Sequence, residues 1–153
     1  MVTFVILRHG MLVLEYKTRL ADLDKPINRV LAWVSVAAST FIVVYALLLD
    51  PPNRIILFAL SPIGFLSGLG ILKVLDGKRT ESKAWMYEHI GAMLGCGIAF
   101  HTAFAVFGSA RLFDLGLEGF IAVIPWVLPA AIGIPATSIW TRYYQRKFGD
   151  LPA

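Results

Sequence analysis

The sequence predicts an all-α fold: a transmembrane helical bundle of four spanning helices, preceded by a short N-terminal hydrophobic helix or the remnant of one. Three observations carry that expectation. The first is composition: of 153 residues, 58% are hydrophobic and only 16% charged, with a mean hydropathy of +0.71. A soluble domain is usually about a quarter charged and under half apolar, and the interior of one small domain cannot hold the excess. Lipid removes the difficulty by becoming the solvent of the outer faces. The second is four runs that reach the length of about 20 apolar residues needed to cross a bilayer. The third is a concentration of basic residues in alternate connections between those runs.

The first span is read at 28–49, with no acid and no base beyond Arg29. Pro26 suits a helix start and Asp24 is placed to cap it. Asp50-Pro51-Pro52-Asn53 ends it, because proline has no N–H to donate and restrains the residue before it. The second span, 54–75, follows after so short a break that the two must form an antiparallel hairpin. Pro62 predicts a kink, and Gly64, Gly68 and Gly70 offer close backbone approach. The third, 85–108, is the most polar, with Glu88, His89 and His101. The fourth, 119–140, has no ionisable residue and carries Pro125, Pro129 and Pro135, which neighbouring helices can absorb in a bundle. The segment from Val2 to Leu14 is apolar but interrupted by Arg8 and His9 and is too short to span. It reads as an interfacial helix or as the tail of a longer one. The whole chain, 1–153, reads as a single integral membrane domain without a soluble module or repeat.

Charge sets the expected orientation. Lys17, Arg19, Lys25 and Arg29 precede the first span, and Lys73, Lys78, Arg79 and Lys83 lie between the second and third. Arg142, Arg146 and Lys147 follow the fourth. The other two connections hold one base each, Arg54 and Arg111. Basic residues stay on the cytoplasmic side, so the expectation is a multi-pass protein of a bacterial plasma (inner) membrane with both termini cytoplasmic. Trp85, Tyr87, Trp140, Tyr143 and Tyr144 fall at the same boundary, where amphipathic rings sit. The net charge of +4 therefore belongs to membrane anchoring, and no basic stripe or glycine-flanked aromatic motif suggests nucleic acid. The expected partners are the lipid bilayer and, through glycine-rich faces, a homo-oligomer or other membrane subunits. Cys96 is the only cysteine, which excludes an internal disulfide and a cysteine-based zinc site and leaves a packing role. No positive leader or small-residue cleavage site marks Val2–Leu7 as a signal peptide.

The candidate site residues are few. Glu88 and His89 lie one turn into the third span, at a depth where side chains still reach water. If Val2–Leu14 is a helix leaving the membrane near Glu15, Arg8 can oppose Glu88 and His9 can approach His89, since intramembrane charges pair. His101 is deeper, about 18 Å further along the helix and about 120° round it from His89, so the two cannot share a metal. Thr102 beside it is a possible donor. One reading makes His9, His89 and His101 cofactor ligands, with a haem b between His9 and His89 and with Met86 or Met93 as substitute ligands. A second makes the proline-broken fourth span the wall of a small transporter. The leading reading is a non-enzymatic subunit or scaffold. Gly91 and Gly95 form a GxxxG pair that reads as packing. No catalytic triad, phosphate loop or zinc signature is present, so no catalytic residue or metal ligand is assigned.

The stretch AWMYEHIGAMLGCGIAFHTAFAVFG, with IPWVLPAAIGIPATSIWTRYYQRKFG and LRHGMLVLEYKTRL, resembles the middle and C-terminal portion of a group of uncharacterised bacterial multi-pass membrane proteins. The resemblance implies further hydrophobic helices ahead of this point, with Val2–Leu14 as the end of one. It implies no activity.

Overall fold

The computed structural model describes residues 1–108 and 119–151. Among these the chain is all-helical, with four helices long and apolar enough to cross a membrane. Helix α1 covers Val2–Glu15, α2 Pro26–Leu49, α3 Arg54–Leu75, α4 Ala84–Ala103 and α5 Ile124–Lys147. A 3-10 turn at Leu20–Leu23 leads into α2, and another at Gly119–Val123 leads into α5. α4 continues as a π-helical turn over Phe104–Gly108. Arg111, one of the two bases counted on the poorer side, lies outside the described residues.

The ends of the spans follow local chemistry. Pro26 stands in the first turn of α2, but Lys25 and not Asp24 occupies the cap position, and no side chain caps the helix. Asp24 turns instead to Arg29. Asp50 closes α2 in the left-handed region, φ 44°, directly ahead of the two prolines. The fourth span runs on to Lys147, seven residues past the expected end at Trp140. Nothing from Thr141 to Lys147 breaks a helix, and Arg and Lys near a span's end can snorkel towards water.

Packing explains the order of the bundle. α2 and α3 form the expected hairpin. A Cβ on Gly68 would lie 2.7 Å from Val36 Cγ2 and 2.8 Å from the Ala32 carbonyl oxygen, so only glycine permits this approach. Gly64 faces Ser39 and Val2 in the same way, whereas Gly70 borders open space. α1 is no flat interfacial helix. It runs antiparallel along α4, with Gly10 against Ala92 and Met93, Ile6 beside Gly95, and Cys96 Sγ 3.7 Å from the Thr3 carbonyl. α5 packs on the other side of α4 through Gly133 against Ile98, and Trp126 meets Phe107 edge-on at 5.8 Å. The densest core lies at one end, where Val5 and Val13 of α1, Leu23, Ala32 of α2, and Ile71, Leu72, Val74 and Leu75 of α3 converge. The loops bearing most of the basic residues meet at that end.

Candidate functional site: the polar cluster between α1 and α4

The contact of Gly10 with Ala92 brings the polar residues of α1 and α4 together at the basic end of the bundle. His9 is only 8% exposed, and its Nε2 has no hydrogen-bond partner among the described residues. That nitrogen lies 3.6 Å from Glu88 Oε2. Glu88 is itself 13% exposed and accepts from Arg79 Nε at 2.8 Å. Arg79 comes from the loop between α3 and α4, and its other guanidinium arm donates to Glu81 at 3.0 Å. One carboxylate thus joins a histidine of α1 to an arginine of the loop. His89 Nδ1 donates to the Gly10 carbonyl at 2.8 Å.

The expected pairing of Arg8 with Glu88 is not what the chain adopts. Successive helical residues point about 100° apart, so the rotation that aims His9 at α4 aims Arg8 at α2. There Arg8 donates to Asn28 Oδ1, while Asn28 Nδ2 donates to the Leu23 carbonyl at 2.6 Å. His9 and His89 occupy one neighbourhood but hold separate partners. A haem between them would have to part α1 from α4, because Gly10 and Ala92 are already in contact. Met93 packs its Cε against Gly10. His101 stands apart on an exposed face, its Nδ1 donating to the Gly97 carbonyl one turn back at 2.7 Å. Thr102 donates to the Ile98 carbonyl at 3.0 Å and makes no bond to His101.

No family model, curated protein or solved structure matches the chain. Its site therefore has to be read from its own geometry.

Two further polar fastenings surround the cluster. Arg29 forks onto Asp24 at 2.6 and 3.0 Å and reaches Asp76 at 3.0 Å, tying the start of α2 to the end of α3. Its hydrogen bond holds the Asp24 carboxyl below the usual carboxylate range. Lys78, at 3.2 Å, and then Arg29 do the same for Asp76. Beyond α5, Asp150 accepts from the Tyr87 hydroxyl at 2.6 Å, the Ser82 N–H at 2.9 Å, the Ser82 hydroxyl at 3.2 Å and the Lys83 N–H at 3.4 Å. A carboxylate on the free N–H groups at the start of α4 is what a helix N-terminus favours. The Tyr87 hydroxyl and then the Ser82 N–H lower the Asp150 carboxyl from its ordinary range.

Sequence reasoning singled out Arg8, His9, Glu88, His89, His101 and Thr102. It missed Arg79, Asn28, Arg29 and Asp150 as members of the network, because each is paired across 20 or more residues of chain, or stood in the sequence as an ordinary loop charge. The apolar α1 interrupted by Arg8 and His9, whose polar side chains need partners where the helix packs on others, was the available signal. Among the described residues no group of three His, Cys, Asp or Glu side chains could hold a metal ion. The cluster pairs the Glu88 carboxylate with the Arg79 guanidinium and, through His9 and His89, fixes α1 against α4.

Proposed function

We propose that this chain is a non-enzymatic subunit or scaffold of a bacterial plasma membrane, with both ends and the α3–α4 loop in the cytoplasm. One observation carries the reading: the polar side chains of the α1–α4 cluster are bound into helix-to-helix contacts. His9 lies against Glu88, Glu88 is held by Arg79, and His89 by the Gly10 carbonyl. The eleven bases flanking the spans on one side, against two on the other, support the orientation.

A second reading, a haem-binding module, is favoured by a different feature. His89 and His101 each donate Nδ1–H to a backbone carbonyl, the arrangement that turns Nε2 into a ligating nitrogen. An absorption spectrum of the detergent-purified protein separates the two. The scaffold reading expects a colourless preparation, with reporter fusions at Lys78 and Ala153 active on the cytoplasmic side. A Soret band that disappears in His89→Ala would overturn it in favour of haem.

A further inference from the structure

At the basic end of the bundle, carboxylates from the connections and the C-terminal segment are engaged within the fold. Asp24 and Asp76 hold Arg29, Glu81 and Glu88 hold Arg79, and Asp150 accepts from the start of α4. The last turns of α5 differ. No acid occurs from position 119 to position 149. Arg142 and Arg146 are exposed, and neither guanidinium has a hydrogen-bond or ion-pair partner among the described residues.

Helical geometry gives these two side chains a common outlook. At about 100° per residue, Arg142 lies about 180° and Arg146 about 140° round α5 from Gly133, the residue that packs on Ile98 of α4. One turn apart, they stand about 5–6 Å from each other at Cβ, a separation at which two forked donors can close on one phosphate. Lys147 is only about 40° from Gly133 and leans over the Tyr144 ring at 6.0 Å, so it belongs to the other side. Depth agrees with direction. The exposed indole of Trp140 belongs at the edge of the hydrocarbon. Arg142 and Arg146 stand about 3 and 9 Å beyond it, across a headgroup layer about 5–7 Å deep. On the hydrocarbon side, Ile139, Ile132 and Leu128 are exposed on the same outward half of the helix and extend about 16 Å along it.

We propose that the outward face of α5 is a binding site for an anionic phospholipid, with the phosphate between Arg142 and Arg146 and an acyl chain along Ile139, Ile132 and Leu128. Charge decides the class of lipid. Two guanidinium groups without a nearby carboxylate attract a headgroup of net negative charge. A phosphocholine group brings an ammonium of its own, and no acid from 119 to 149 is there to receive it. A free anion could meet the two arginines but would leave the apolar stripe unused. The site needs only the four spans and stands or falls apart from the subunit reading.

Native mass spectrometry of the detergent-purified protein tests it, with phosphatidylglycerol and phosphatidylcholine added in equal amounts. The expected result is one phosphatidylglycerol retained in preference to phosphatidylcholine by a factor on the order of ten, the scale set by two basic side chains at an anionic surface. Arg142→Gln with Arg146→Gln should bring that ratio close to one. Lys73→Gln with Lys83→Gln removes the same charge from exposed side chains elsewhere at this end and should leave the ratio as in the parent. All four side chains are exposed, so both double variants should fold as the parent does. A ratio near one in the parent, a preference that survives loss of the two arginines, or an equal fall in the lysine pair overturns the proposal. Displacement of the lipid by millimolar inorganic phosphate would reduce the site to one for free anions. A copurifying polypeptide, released by the arginine variant in place of lipid, would assign the face to an acidic protein partner instead.

Discussion

The basic end of this bundle and its interior are held together by different physics. At the basic end, helices are fastened by ion pairs and hydrogen bonds: Arg29 with Asp24 and Asp76, Arg79 with Glu88, and Asp150 with the start of α4. Deeper in the bundle the contacts are made by small residues. Gly64 meets Ser39, Gly68 meets Val36 and Ala32, and Gly133 meets Ile98. The division follows the solvent. Near water a charge can be partnered without being stranded, whereas in lipid the hydrophobic effect between helices vanishes and close van der Waals contact carries most of the packing. The comparison teaches where stability should be sensitive: to added volume at depth, and to lost charge partners at the end.

The largest expected effect is therefore a volume change at depth. Gly68→Val should lose about 3 kcal/mol, the upper range of overpacking, because one of the atoms in its way is the Ala32 carbonyl oxygen and backbone cannot swing aside. Unfolding in mixed detergent micelles, followed by tryptophan fluorescence, measures it. A variant as stable as the parent would break the comparison at its deep half.

Next in size is a lost partner at the basic end. Arg79→Ala should cost about 2 kcal/mol by leaving the largely buried Glu88 carboxylate without its donor. Adding Glu88→Gln should recover part of that loss, because the stranded charge is then gone. If the double variant is no more stable than the single one, the guanidinium acts through packing and the electrostatic account of this end fails.

What the sequence made legible follows the same division. Span number, hairpin pairing of α2 with α3 and the close-approach roles of Gly64 and Gly68 were readable, because lipid imposes length and apolarity on a continuous stretch of chain. The position of Glu88 and His89 about one turn into α4 was readable for the same reason. Helix rotation was not. His9 takes the place beside Glu88 expected of Arg8, and Arg8 turns to Asn28, because one residue's difference turns a side chain by about 100°, and no local pattern sets which of the two meets α4. The GxxxG pair misled in the same way. Gly91 borders open space, Gly95 barely touches Ile6, and the contact-making glycine of this interface is Gly10 on the other helix. Asp150 was hidden because its partners lie 63 to 68 residues earlier in the chain.

Smaller still is a pH effect at the α4–α5 fastening. The folded state holds the Asp150 carboxyl below its ordinary value, with Tyr87 as the main cause and the Ser82 N–H next. A carboxyl depressed on folding contributes stability that is fully present above its unfolded pKa and is lost as the pH falls through the folded one. Protection of the Ser82 and Lys83 amides from hydrogen exchange should therefore hold near neutrality and decline as the pH falls below about 4. Asp150→Asn should remove that dependence. A decline of the same size in the variant would assign it to other groups, Asp24 and Asp76 among them, since both are likewise depressed.

The smallest effect is predicted for Gly91→Ala, and its smallness is informative. In water such a change within a helix would gain up to about 1 kcal/mol, because alanine leaves the unfolded chain with less freedom to lose. In lipid that gain should nearly vanish. A span separated from its neighbours still has to satisfy its backbone internally, so it is already helical before it packs. The alanine methyl would meet nothing within 4 Å, which removes any packing change as well. Unfolding in mixed micelles should place this variant within about 0.5 kcal/mol of the parent, as for surface changes generally. A substantial loss would mean that the Gly91 face is covered by another helix in the membrane. A gain near the aqueous value would mean that this part of α4 unwinds when the bundle comes apart, and would move the boundary between the two regimes deeper than Glu88.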